Sequence, residues 1–113
     1  MLKKLYNQKS KDLLIKRLES EDFERITCSF YKYFKIDDPT TLRDKIYYLF
    51  DSLEILGRIY IASEGINAQI SVPEHNWEAF TKNVYNIKYF LDIPFKIAIE
   101  DDGKSFFKLI AFL

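Results

Sequence analysis

Gly57-Arg58-Ile59-Tyr60-Ile61-Ala62-Ser63-Glu64-Gly65-Ile66-Asn67-Ala68-Gln69-Ile70-Ser71-Val72-Pro73 holds two runs in which every second residue is apolar. Ile59 and Ile61, then Ile66, Ala68, Ile70 and Val72, keep the spacing that places side chains on one face of a half-buried strand, while Asn67, Gln69 and Ser71 take the other face. Residues 58–62 and 66–72 are therefore two strands. Ser63-Glu64-Gly65 between them is short enough for a hairpin, and Gly65 can adopt the positive φ that tight connections require.

Outward from this hairpin the period changes to that of a helix on both sides. Upstream, Asp38-Pro39 supplies an N-cap and a proline at the first helical position, and Leu42, Ile46, Leu49, Phe50 and Leu53 form one apolar stripe that Gly57 is expected to end. Downstream, Pro73 opens a second stripe of Trp77, Phe80, Val84, Ile87 and Leu91 running to about Asp92, before Pro94. Further out the alternation returns. Ile26, Cys28 and Phe30 oppose Thr27, Ser29, Tyr31 and Tyr33, and Phe95, Ile97 and Ile99 oppose Lys96, Ala98 and Glu100. Ser10 caps a short amphipathic helix carrying Leu13, Leu14 and Leu18, and Asp101-Asp102-Gly103 turns the chain into a last strand over residues 105–113.

The order β-α-β-β-α-β is the split βαβ pattern of an α+β, ferredoxin-like or acylphosphatase-like domain. Residues 1–22 form a helical extension and residues 23–113 the domain, with an extra C-terminal strand. Both long helices should cover one face of an antiparallel sheet, leaving Ser29, Tyr31, Tyr33, Tyr60, Asn67, Gln69, Ser71 and Lys96 on the open face. The final strand is apolar on both sides, an edge liability in a free-standing domain, which predicts that the chain is the front part of something longer.

Composition narrows the function classes. At 113 residues the chain is one domain, and 48% hydrophobic with 30% charged residues argues against disorder. Seventeen basic residues balance seventeen acidic ones, so no global field draws nucleic acid or an anionic membrane. No apolar run approaches the ~20 residues of a membrane span. A cytoplasmic protein with no membrane partner is expected, and one cysteine permits no internal disulfide.

Phosphate-ester or acyl-phosphate hydrolysis would need a glycine-rich anion cradle after the first strand, where Lys35-Ile36-Asp37-Asp38-Pro39 offers two carboxylates and no glycine. His75 is the sole histidine, and Asp101-Asp102 fits a turn better than a cation site, so neither metal nor cofactor is assigned. Cys28, between Ile26 and Phe30, is expected in the core rather than as a nucleophile. The basic residues Lys3, Lys4, Lys9, Lys11, Lys16 and Arg17 are interleaved with acids and read as a solvated face. Tyr31, Tyr33 and Tyr60, with Lys32, Lys35, Arg58 and Lys96 nearby, can stack RNA bases, pack against a neighbouring domain, or simply meet solvent. Asn67 and Gln69 can bond a base edge or a partner's backbone.

Three stretches, Ser29-Phe30-Tyr31-Lys32-Tyr33-Phe34, the Gly57-to-Pro73 block and Asp101-Asp102-Gly103-Lys104-Ser105-Phe106, together resemble the N-terminal domain of the rhodanese-related tRNA uridine hydroxylases. The resemblance implies an acylphosphatase-like fold, a rhodanese domain following in the same chain with the catalytic cysteine, tRNA as a partner, and molecular oxygen as a requirement of the parent enzyme. It puts no catalytic role on Cys28. One departure is that Leu109-Ile110-Ala111-Phe112-Leu113 stays apolar where the resemblance implies basic residues. Tyr31, Lys32, Tyr33, Arg58, Tyr60, Asn67, Gln69 and Lys104 are the expected RNA-binding or domain-binding residues. Purely structural packing against the following domain, and a small-molecule regulatory module of the ferredoxin-like kind, are the alternatives.

Overall fold

The computed structural model describes residues 5–6, 10–99, 101 and 104–113. Lys3, Lys4, Lys9, and Asp102-Gly103 of the expected turn lie outside the described residues. The described elements are β1 (Leu5–Tyr6), α1 (Lys11–Glu19), β2 (Arg25–Tyr33), α2 (Pro39–Ser52), β3 (Leu56–Ala62), β4 (Gly65–Pro73), a 3-10 turn (Glu74–Asn76), α3 (Trp77–Tyr85), β5 (Lys96–Ile97) and β6 (Leu109–Phe112).

The strands form one sheet in the order β1-β6-β3-β4-β2-β5. Its centre is the β3–β4 hairpin, paired from Leu56↔Ser71 to Ala62↔Gly65, with β4 pairing in turn along the whole of β2 from Arg25↔Pro73 to Tyr33↔Gly65. The β5-β2-β4-β3 part is the antiparallel sheet of a split βαβ domain, as expected. Gly65, at φ +149°, is required by crowding: a Cβ there would lie 2.3 Å from the Lys32 carbonyl oxygen.

The apolar stripes of α2 and α3 meet the inward residues of the sheet in one core. Ile46 and Phe50 of α2, and Phe80 and Val84 of α3, are buried with Ile59, Ile61, Ala68, Ile70 and Val72. Burying a large aliphatic or aromatic side chain of this kind contributes about 1.5–3 kcal/mol, so this face supplies most of the driving force.

Four expectations need correction. Gly57 does not end α2, which stops at Ser52. Glu54 takes the left-handed conformation at φ 59°, with the Ile55 N–H donating to the Phe50 carbonyl and the Glu54 N–H to the Asp51 carbonyl, a Schellman ending without glycine. Gly57 instead lies in β3, where a Cβ would sit 2.2 Å from the Gln69 carbonyl oxygen. The second helix ends at Tyr85 rather than about Asp92, because tight turns follow that bury Ile87, Phe90 and Ile93 at three-residue intervals and leave Leu91 67% exposed. The fourth strand shrinks to Lys96–Ile97. Phe95 joins the aromatic cluster of Phe30, Phe80 and Tyr85, but Ile97 and Ile99 face solvent.

The last strand is the fourth correction. It begins at Leu109, not residue 105, and runs parallel to β3 inside the sheet, with β1 antiparallel on its far side (Leu5↔Ala111). No expectation included β1. The place of β6 beside β3 resolves the two-sided apolar pattern: Leu109 and Ala111 are fully buried toward α2, and Phe112 lies against Tyr60.

Candidate functional site

Cross-strand register sorts the outward-facing residues into rows. Tyr31, Asn67, Tyr60 and Phe112 are successive partners across β2, β4, β3 and β6, and Lys96, Ser29, Gln69, Arg58 and Ile110 form the neighbouring row. Tyr33 follows beside Gly65 and Ala62. Tyr31 and Tyr33 are 63% and 77% exposed with ring centroids 5.6 Å apart. Tyr60 stacks flat on Phe112, 4.8 Å between centroids and 7° between planes.

Six of the eight expected residues therefore share one surface: Tyr31, Tyr33, Arg58, Tyr60, Asn67 and Gln69. Lys32 does not. Strand alternation turns it to the helix-bearing side, where it donates to the Tyr89 carbonyl and lies 5.5 Å from the Phe34 ring centroid. Lys104 stands exposed in the segment before β6, outside both rows. Phe112 completes the aromatic row and was not among the expected site residues; its signal was the apolar alternation of 109–113, which says nothing about which strand lies beside it.

The face is not open over its whole area. The structure buries Ser71 completely, although alternation placed it among the open-face residues. This end is occupied by α1 and the segment leading into β6: Leu14 and Leu18 of α1 share a cavity with Arg25, Leu56 and Phe107, and the Thr27 hydroxyl donates to Asp101 Oδ1 at 3.0 Å. All three guanidinium nitrogens of Arg25 are engaged here. Its Nε and Nη2 donate to the two Glu21 carboxylate oxygens at 2.7 Å, and Nη1 donates to the Glu54 and Ser71 carbonyls at 3.0 Å.

The uncovered half contrasts with this. Among the described residues, the Arg58 guanidinium, the Lys96 ammonium, the Asn67 and Gln69 amides, and the Tyr31, Tyr33 and Tyr60 hydroxyls have no hydrogen-bond or ion-pair partner. Side chains of this chemistry offer planar apolar faces, hydrogen-bonding edges and two positive charges to an external partner.

Other chemistry is restricted by the same geometry. The loop after β2 spends its amides on the hairpin turn, with the Phe34 N–H donating to the Glu64 carbonyl and the Ile36 N–H to the Ser63 carbonyl. Asp38 caps α2 by accepting from the Thr41 hydroxyl at 2.7 Å and the Thr41 N–H at 3.2 Å, bonds that hold its carboxyl below its ordinary pKa. A carboxylate already occupies that helix N-terminus, so an anion cradle is absent there. Burial pushes the Cys28 thiol up to about 12, which keeps it protonated and unreactive. His75 meets the Phe23 ring edge-on at 4.9 Å. Among the described residues no three His, Cys, Asp or Glu side chains group to hold a metal ion, and no helix is long and apolar enough to cross a membrane.

Residues 25–111 match the family model described as the UPF0176 acylphosphatase-like domain. Proteins named tRNA uridine(34) hydroxylase are similar: that of Leptospira interrogans is 52% identical over 105 residues, that of Cronobacter sakazakii 51% over 106, and one from Escherichia coli 49% over 106. Each alignment covers 93% of this chain but only 29–30% of the relative, so the chain spans about three-tenths of the length of these proteins. The chain belongs to the UPF0176 acylphosphatase-like domain family and corresponds to the N-terminal part of those longer relatives.

Proposed function

We propose that this domain is the non-catalytic front part of a cytoplasmic, oxygen-dependent hydroxylase of the tRNA wobble uridine, and that it holds the RNA while a following rhodanese domain carries the reactive cysteine. One observation carries the reading: the uncovered half of the sheet bears a row of aromatic rings around the Asn67 amide and, beside it, a row holding Arg58, Lys96 and the Gln69 amide, and among the described residues none of these polar groups has a partner. Unpaired bases stack on such rings and offer their edges to such amides, while phosphates meet Arg58 and Lys96. The names of the similar proteins supply the RNA class.

A salt titration tests this. Two cations on a single-stranded segment give a slope of log K against log salt of about −1.4, two times 0.7. Binding of tRNA to the chain should follow that slope and weaken about tenfold in a Tyr31→Ala, Tyr33→Ala double variant. Ile110, Phe112 and Leu113, half-buried on the same face, favour the competing reading that it packs against the remainder of a longer chain. Salt-independent or absent tRNA binding, together with weakened association between this domain and that remainder in the same double variant, would establish the competitor.

A further inference from the structure

At the hairpin end of the uncovered half the two rows give way to a hollow of about 320 Å³. Its floor is built by a necessity of the backbone. Gly65, held between Tyr33 and Ala62 in the register, can carry no side chain because the β2 backbone already occupies the space a Cβ would need. The close approach of β2 to β4 at Gly65 leaves bare backbone as the floor of the hollow. Tyr33 stands on one side, Tyr60 with its Phe112 partner on the other, and Asn67 on β4 between them.

The dimensions suit one planar ring. β2 and β3 flank β4 at twice the ~4.8 Å strand spacing, and Tyr33 lies two residues, about 7 Å, along from the position opposite Tyr60, so the two tyrosines rise diagonally about 12 Å apart at the backbone, room for one flat heterocycle between their rings. The polar inventory suits an edge. The Asn67 amide brings a donor and an acceptor with no partner among the described residues, and Glu64 at the rim brings an acceptor that repels phosphate. Arg58 and Lys96 lie in the neighbouring row, on the side away from Glu64. A strand crossing the sheet would thus set its phosphates along the cationic row and point a base toward the hairpin.

We infer that the hollow over Gly65 is a subsite for one unpaired nucleobase, walled by Tyr33 and Tyr60 and bonded at its edge by Asn67. This deepens the RNA reading above and rests on it.

The test is an NMR titration of the 113-residue chain with a short single-stranded oligouridine and with a ribose-phosphate strand of equal length lacking bases. The expected result is that the Gly65 backbone amide and the Asn67 side-chain amide shift with the oligouridine and not with the baseless strand. Tyr60→Leu and Asn67→Ala, both at exposed positions, should retain the native spectrum, and Tyr60→Leu should weaken oligouridine binding about tenfold. Equal shifts with both strands, confined to Arg58, Lys96 and their neighbours, would overturn the subsite while leaving RNA binding intact. No shift with either strand would overturn both. Concentration-dependent shifts at Gly65 without RNA would assign the hollow to a second copy of the chain and overturn the subsite as well.

Discussion

Arg25 and Arg58 stand on the same face of the same sheet, yet they live in different media. Arg25 makes four hydrogen bonds under α1 and is 8% exposed, whereas Arg58 is exposed and has no partner among the described residues. Nothing in the two strands distinguishes them, since each is a basic residue flanking an alternating apolar run. The difference is made elsewhere, by two segments outside the βαββαβ core. The helix α1, Asp101 and residues 104–108 cover one end of the sheet and stop short of the other. One half of the face thereby becomes interior, with its polar groups closed on one another, and the other half keeps them available.

The largest effect should separate the halves directly. Arg25→Met removes the guanidinium that Glu21 and the Ser71 carbonyl share, and removing one member of a largely buried pair costs about 3 kcal/mol. Urea unfolding should show that loss with an unchanged slope; a loss below about 1 kcal/mol would mean the covered half is wetter than its burial implies.

The thiol beneath the covered end offers a second probe. Because the Cys28 pKa rises from 9.0 to about 12 on folding, its contribution is fully present below pH 9 and declines as pH rises from 9 toward 12. That slope is about 1.4 kcal/mol per pH unit, and Cys28→Val should flatten the alkaline branch by that amount. If wild type and variant lose stability in parallel, the sheet at Cys28 is open to water.

A smaller change tests the strap of chain that closes the covered half. Thr27→Val removes the hydrogen bond to Asp101 and should cost about 1 kcal/mol, with faster amide exchange in residues 104–108 and none at the hairpin. Exchange that spreads to Gly65 would show that the two halves are mechanically one. The smallest stability effect belongs to Arg58→Ala, within ~0.5 kcal/mol by the same urea titration, although tRNA affinity should fall and the salt slope should drop by about 0.7. A large destabilisation there would place Arg58 with Arg25 and erase the contrast.

The hairpin and the capped start of α2 were legible because each depends on residues a few positions apart: the alternation of 66–72, the glycine at 65, and Asp38 before Pro39. The composition of the surface was legible for the same reason, and alternation alone even shows that Lys32 points away from Tyr31 and Tyr33. The ends of elements were not. Glu54 performs the role sought for Gly57, and the Ile87-Phe90-Ile93 spacing resembles a helix until each residue turns individually into the core. Least legible was coverage. The burial of Ser71 depends on where α1, Asp101 and residues 104–108 settle, and the neighbour of Tyr60 depends on β6 running parallel to β3, pairings between residues some fifty positions apart.

That parallel pairing orders events during synthesis. Among the described residues the edge strand at Leu5–Tyr6 pairs with β6 alone, so this strand waits for a partner made about a hundred residues later. Until residues 109–112 emerge, the margin of β3 stays unzipped and the aromatic row lacks its fourth ring, which exposes a sticky border for as long as translation of that stretch takes.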